Sequence, residues 1–184
     1  MTTYAIISDI HGNANNFEKA LKVSKDYGAE FHLILGDLLN HGPRNGVPEG
    51  YDPMRISSLI NENKKTIIAV RGNCDSEVDR MLIEIPIDAT SNILIVNNHK
   101  CFMTHGHKYK EQDTKKLGLE ANDFFFYGHT HLPVLKRDED GVIIFNPGSI
   151  TFPKGKYENS MGILIGNKLM LVNLNGYLLE ELVI

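Results

Sequence analysis

Five short apolar runs in this chain each end in a cluster of acids, amides and imidazoles. YAI is followed by SDIHG, FHLIL by GDLLNHG, TIIAV by RGNCD, KCFM by THGH, and DFFF by YGHTH. Short apolar runs rich in β-branched or aromatic residues read as strands buried on both faces. In open sheets with parallel strands, ligands bind just outside the carboxyl ends. The pattern therefore demands sheets whose strand ends bring five distant segments to one crevice.

The connections agree with such sheets. YAIIS (4–8), FHLIL (31–35) and TIIAV (66–70) alternate with helical patterns, first at about 14–27 behind an Asn13 cap and a Gly28 stop, then in MRISSLINENK. That alternation implies a parallel sheet with right-handed crossovers. CDSEVDRML is expected to be a further helix. In the second half strands dominate: SNILIVNN and KCFMTH suggest a hairpin, DFFFYG another strand, and VIIFNPGS, MGILIG, KLMLVNL and YLLEELVI a meander with turns at Gly141, Gly166–Asn167 and Asn175–Gly176. The expected architecture is α/β (α+β): two packed mixed β-sheets flanked by helices, in one domain over 1–184.

Composition narrows the function. The 184 residues carry a formal charge of −4, and no lysine or arginine cluster is denser than a pair, so a specific nucleic-acid partner is not expected. No apolar stretch approaches the roughly 18 residues that would span a bilayer, and the start of the chain lacks a basic leader, so a cytoplasmic protein away from membranes is expected. Cys74 and Cys101 read as thiols. Oligomeric state stays open, with a homo-oligomer allowed.

The candidates at the strand ends are Asp9, His11, Asp37, Asn73, His105, His129 and His131. Alone, either Asp would read as a turn or cap residue and Asn73 as a turn former; His32 and His99, outside the clusters, read as structural. The two-residue spacing of Asp9 with His11, and of His129 with His131, sets each pair on one side of an extended segment. Buried carboxylates and imidazoles need compensation, which metal ions supply. Seven donors exceed what one ion uses but suit two divalent ions sharing a carboxylate. Mixed nitrogen and oxygen donors point to manganese first, with zinc, iron or nickel as alternatives. Two such ions, about 3.5–4 Å apart, leave a local charge of about +2 against two aspartates; they would attract an anion and hold a bridging water as hydroxide for in-line attack on phosphorus.

The order D-x-H, G-D, G-N, H-G-H and G-H-T-H, realised as SDIHG, LGDLLNHG, RGNCD, THGH and YGHTH, resembles the calcineurin-like metallophosphoesterases over nearly the whole chain. The strings GDLLNHGPRN, PEGYDP, AVRGNCDSEVD, YGHTHLPV and FNPGS resemble its small bacterial phosphodiesterases more narrowly. The resemblance implies a four-layer αββα sandwich. It implies one ion on Asp9, His11 and His131, the other on Asn73, His105 and His129, and Asp37 between them, with Asp37, Asn73 and His105 in the catalytic group. Gly72 is expected to allow a tight turn, and Asp75 to cap the following helix, with orienting its neighbours as the alternative.

Cys74 departs from the family pattern, since many relatives carry His after the Gly-Asn pair. A thiol is a poor proton donor to a leaving oxygen, so aryl phosphodiesters are expected over alkyl monoesters. Cys74 as a covalent nucleophile is the lesser alternative. Arg71 has a fork suited to a phosphoryl oxygen. His107, Asn40 and His41 are further candidates near substrate. The expected activity is a dinuclear phosphodiesterase acting on a small-molecule phosphodiester. A protein-interaction scaffold, disfavoured because every ligand position is filled, and a nuclease, disfavoured without a basic stripe, are the rival readings.

Overall fold

The computed structural model describes residues 2–184. β1 (Tyr4–Ile7), β2 (Phe31–Ile34) and β3 (Ile67–Ala69) run parallel, joined through α1 (Ala14–Asp26) and α2 (Pro53–Glu62). Asn13 caps α1 by accepting the Asn16 N–H at 3.0 Å, and Asp52 caps α2 by accepting the Arg55 N–H at 2.9 Å with Pro53 behind it. A second sheet holds β4 (Ser91–Val96), β5 (His99–Thr104), β6 (Phe124–Phe126), β7 (Val134–Arg137) and β8 (Ile143–Asn146), in the order β4-β5-β6-β8-β7. The chain then returns through β9 (Ser160–Ile165), β10 (Lys168–Asn173) and β11 (Leu178–Val183), giving the first sheet the order β11-β10-β9-β1-β2-β3.

Side-chain alternation sorts three layers of core. Ile6, Leu33, Met103, Phe124, Phe126 and Phe145 fill the space between the sheets. Ala5, Ile7 and Ile34 point the other way, onto Phe17, Ile56 and Ile60 near the helices. Phe102, Phe125 and Ile144 face outward on the second sheet and are covered by Leu119, with Leu117 and Tyr109 packed alongside. Each buried aromatic is worth roughly 1.5–3 kcal/mol of transfer free energy. No helix is long and apolar enough to cross a membrane, and both cysteines are free thiols.

The sandwich of two mixed sheets is as expected, with differences in detail. The outer cover of the second sheet comes from a turn-rich segment whose only helix among the described residues is the three-residue 3-10 turn Glu111–Asp113. CDSEVDRML forms a 3-10 turn over Asp79–Met81 instead of an α-helix. Asp79 accepts from both the N–H and the hydroxyl of Ser76, at 2.9 Å each, so side-chain bonding locally replaces the helical ladder. The second half is not all hairpins, because β5, β6 and β8 pair in parallel. The expected meander is divided: β8 belongs to one sheet and β9, β10 and β11 to the other. The strand β7, whose sequence alternates weakly, was missed.

Candidate active site

Both sheets contribute parallel strands whose carboxyl ends open at the same edge, and the polar clusters meet there. Among the described residues, five of the eight non-glycine residues with positive φ are Asp9 (55°), His11 (49°), Asp37 (56°), His129 (67°) and His131 (59°); the other three are asparagines. Left-handed backbone costs of order 1–3 kcal/mol per residue and persists where the surroundings over-determine it. The extended geometry expected for the two-residue pairs is therefore wrong. Left-handed backbone aims these side chains, and His129 and His131 go to different neighbours.

His11, His105 and His131 share one arrangement. Their Nδ1 atoms lie 2.9, 2.6 and 2.7 Å from the carbonyl oxygens of Asn40, Leu35 and Phe152. A carbonyl only accepts, so each Nδ1 carries a proton, and the neutral form of each ring turns a lone pair inward on Nε2. Those lone pairs face other acceptors. His11 Nε2 is 3.3 Å from His131 Nε2 and 3.7 Å from Asp9 Oδ1, while His131 Nε2 is 3.2 Å from Asp9 Oδ1. His105 Nε2 is 3.3 Å from Asp37 Oδ2 and 3.1 Å from Asn73 Oδ1, and His11 Nε2 is 3.6 Å from Asp37 Oδ2. The Asn73 amide donates its Nδ2 to Cys74 Sγ at 3.2 Å, which leaves its oxygen toward His105.

Buried acceptors facing acceptors require positive charge. Asp9 Oδ1 is buried with no hydrogen-bond donor, although Oδ2 receives the Ser8 hydroxyl at 2.7 Å and the His129 N–H at 3.0 Å. Burial opposes ionisation of Asp9, but the imidazoles of His11 and His131 beside Oδ1 outweigh it and hold the carboxyl well below the ordinary carboxylate range. Burial likewise pushes the His105 imidazolium down, yet Asp37 and Asp9 reverse this and raise it to about 9. Without another cation His105 holds a second proton. Asp9, His11 and His131, and separately Asp9, Asp37 and His105, offer donor atoms within 4.8 Å of one another. Acceptor-only donors with locked tautomers fit divalent metal ions.

Two glycines make the crowding possible. A Cβ on Gly72 would lie 2.1 Å from Asp37 Oδ1, and one on Gly128 would lie 1.8 Å from Ser8 Oγ and 2.8 Å from Asp9 Oδ2. Gly72 is not in the left-handed region, so close approach rather than a tight turn requires it. Asp75 does not cap a helix. Its carboxylate accepts from the N–H groups of Asp37 (2.9 Å), Leu38 (2.6 Å) and Gly72 (2.7 Å), tying the two loops together.

Arg71 is not in the cleft. It donates to Glu77 Oε1 at 3.0 Å and to the Asp75 carbonyl at 3.3 Å, because its loop turns it toward the exposed glutamate. Cys74 lines the cleft. Its N–H donates to Asp37 Oδ1 at 2.8 Å, and its thiol is pushed up to about 12 by burial and then by the carboxylates of Asp37, Asp75 and Asp9. His107 stands beside His105 and His129, at ring separations of 5.5 and 6.2 Å, with a buried and unpartnered Nδ1. Asn40 supports His11 through its carbonyl, and His41 meets the Tyr51 ring edge-on at 5.3 Å.

Sequence reasoning missed supporting residues. Ser149 Oγ donates to the Asp9 carbonyl at 2.9 Å, Thr151 Oγ1 to that of Ile10 at 2.7 Å, and Asn146 Nδ2 to that of Gly128 at 2.9 Å. The signal was present in VIIFNPGS, a sixth apolar run ending in polar residues. Two clefts meet at His129. One, of about 660 Å³, also touches His11, Asp37 and Cys74; the other, of about 420 Å³, touches His107, Gln112 and Thr130.

Comparison with known proteins places this geometry. The phosphodiesterase YfcE of Escherichia coli is 44% identical over 168 residues, covering 91% of this chain and 90% of that one. The structure of YfcE, described as a phosphoesterase, superposes with a TM-score of 0.91 at 40% identity, over 99% of each chain. A zinc-complexed Vps29 from Entamoeba histolytica, 19% identical, shares the fold with a TM-score of 0.63 over 99% of each chain. Residues 3–167 match the model of the calcineurin-like phosphoesterase superfamily domain, and the chain belongs to that superfamily of phosphate-ester hydrolases.

Proposed function

We propose that this chain is a phosphodiesterase that works with two divalent cations, manganese foremost. Asp9, His11 and His131 would hold one, Asn73, His105 and His129 the other, with Asp37 shared. The observation that carries the reading is the set of inward lone pairs on His11, His105 and His131, facing carboxylate and amide oxygens with no donor between them. When bound, such a cation pair supplies a nucleophile from water at neutral pH and neutralises charge on phosphoryl oxygens.

The chain's own groups do the rest. Backbone carbonyls fix one proton of each imidazole on Nδ1, so each Nε2 is the atom aimed at a cation, and His105 gives up its second proton when the cation binds. Asp75 clamps the Asp37 loop against the Gly72 loop, holding Asp37 Oδ2 between His11 and His105. This is positioning and electrostatic preorganisation, which carry most of the catalysis in phosphoryl transfer.

The preference for diesters has two supports beyond the name of the 44% identical relative. A diester has two arms, and two clefts meet at His129. Cys74, with its thiol raised to about 12, is a weak acid for a leaving oxygen, so aryl leaving groups are favoured. A screen of divalent metals against a 4-nitrophenyl diester and the matching monoester tests the reading. The diester should be cleaved with at least about tenfold higher kcat/KM. Preference for the monoester, or undiminished turnover after chelation, would overturn it.

A further inference from the structure

The two clefts meeting at His129 differ in charge. Arg44 and Lys154 both line the larger one. Among the described residues, Arg44 is the one arginine whose side chain has no hydrogen-bond or ion-pair partner. Arg55 reaches Glu18, Arg71 and Arg80 reach Glu77, and Arg137 reaches Asn122. The Lys154 ammonium is equally uncommitted, while its backbone N–H donates to the carbonyl of His131 at 3.1 Å. In the smaller cleft the cation Lys110 stands with the carboxylate Glu111, which also engages Lys136 and the Tyr127 hydroxyl.

An unpartnered arginine on a loose loop would be ordinary surface. This loop is braced. Asn40 Oδ1 accepts the Gly42 N–H at 2.8 Å, Asn45 Nδ2 donates to the His41 carbonyl at 2.8 Å, and the Ala14 N–H donates to the Gly50 carbonyl at 2.9 Å. Pro43 immediately before Arg44 stiffens it further. The backbone that carries the guanidinium is thus held at the cleft, and the lysine is anchored to a residue of the catalytic centre. A guanidinium fork matches a carboxylate or phosphate, and an ammonium adds a point charge.

We propose that the larger cleft binds a second oxyanion, a carboxylate or phosphate carried on one arm of the diester, and that Arg44 and Lys154 select it. This rests on the diester reading above and names its substrate class: diesters with one anionic arm. Both side chains act as specificity residues on that arm, away from the scissile bond.

The test uses isosteric pairs. Two 4-nitrophenyl diesters, one arm ending in a carboxylate and the other in its carboxamide, are compared in wild type, Arg44→Ala, Arg44→Lys and Lys154→Ala. Wild type should favour the carboxylate about tenfold, through KM, as one or two charge-assisted contacts at a solvent-open site allow. Arg44→Ala should bring the ratio close to one, Lys154→Ala should lower it severalfold, and Arg44→Lys should keep part of it. Calorimetry of two uncleavable phosphonates with the same arms, on manganese-loaded protein, should give the same ratio, falling with added salt. A wild-type affinity ratio near one, or a ratio unchanged in both alanine variants, overturns the proposal. If neither diester is turned over with any divalent cation, the phosphodiesterase reading fails. The affinity ratio still decides the oxyanion site.

Discussion

The Asp9, His11 and His131 side of the centre is sealed, with exposures of 0%, 1% and 6%, whereas on the other side Asn73 is exposed and His129 only half-buried. The sealed side is also doubly supported: Ser8 and the His129 N–H bond one oxygen of Asp9, and Ser149 holds its carbonyl. Asn73 has only the Cys74 thiol and His105. On the proposed two-cation reading, the sealed half would retain its ion and the open half would exchange with solvent and substrate. The carboxylate that joins them is Asp37, so its loss should have the largest effect. Asp37→Asn is expected to lower kcat/KM by well over about 100-fold, beyond what loss of a supporting residue does, and to weaken both metal equivalents in a manganese titration. Loss of a single equivalent would mean the two sides do not share it.

The buried histidine of the open side sets the next effect. In metal-free protein the His105 imidazolium is raised to about 9 by Asp37 and Asp9 against the opposing effect of burial, compared with about 6.5 unfolded. The proton it holds therefore stabilises the fold fully below about pH 6.5, and that contribution fades as pH rises through about 9, a loss of about 3 kcal/mol. Thermal unfolding in chelator should show Tm falling between these values, and saturating manganese should flatten the fall. A pH-independent Tm in chelator would remove the view that protons substitute for metal there. Asn73→Ala should be milder. It removes one exposed donor, so the weaker metal equivalent should lose about tenfold in affinity while the tighter one is unchanged. Equal loss at both would erase the distinction between the sides.

The convergence of the candidate residues was legible because they follow apolar runs, and a strand's carboxyl end can be read from pattern alone. The fold was legible to the same depth: parallel β1, β2 and β3 and the hairpin of β4 and β5 follow from their patterns. What failed was local competition. Asp75 looks like a helix-starting residue, yet its carboxylate is taken by N–H groups 37 and 38 residues away, and Asp79, inside the expected helix, is taken by Ser76. Parallel pairing of β6 with β8 depends on which sheet each strand joins, a long-range choice that strand composition does not encode. Arg44 and Lys154 carried no signal, since an isolated cation in a loop looks the same whether it faces a cleft or solvent.

The smallest effect is expected at Cys74, the residue that departs from the family pattern, and its smallness is informative. Its sulfur lies between the two sides, within 4.8 Å of donor atoms of His11 and Asp37, where a thiolate would be an obvious nucleophile. Burial and three carboxylates oppose that thiolate and push the thiol up to about 12, so near pH 8 the metal-free protein presents almost no reactive sulfur. Alkylation of metal-free protein by iodoacetamide should be far slower than that of a free thiol, and Cys74→Ser should change diester turnover by less than about threefold. Turnover of a diester made chiral at phosphorus by sulfur and oxygen-isotope substitution then separates the remaining routes. Inversion at phosphorus means that water attacks it directly, and retention, with a phosphorylated Cys74 trapped on quenching, would restore sulfur as the attacking atom.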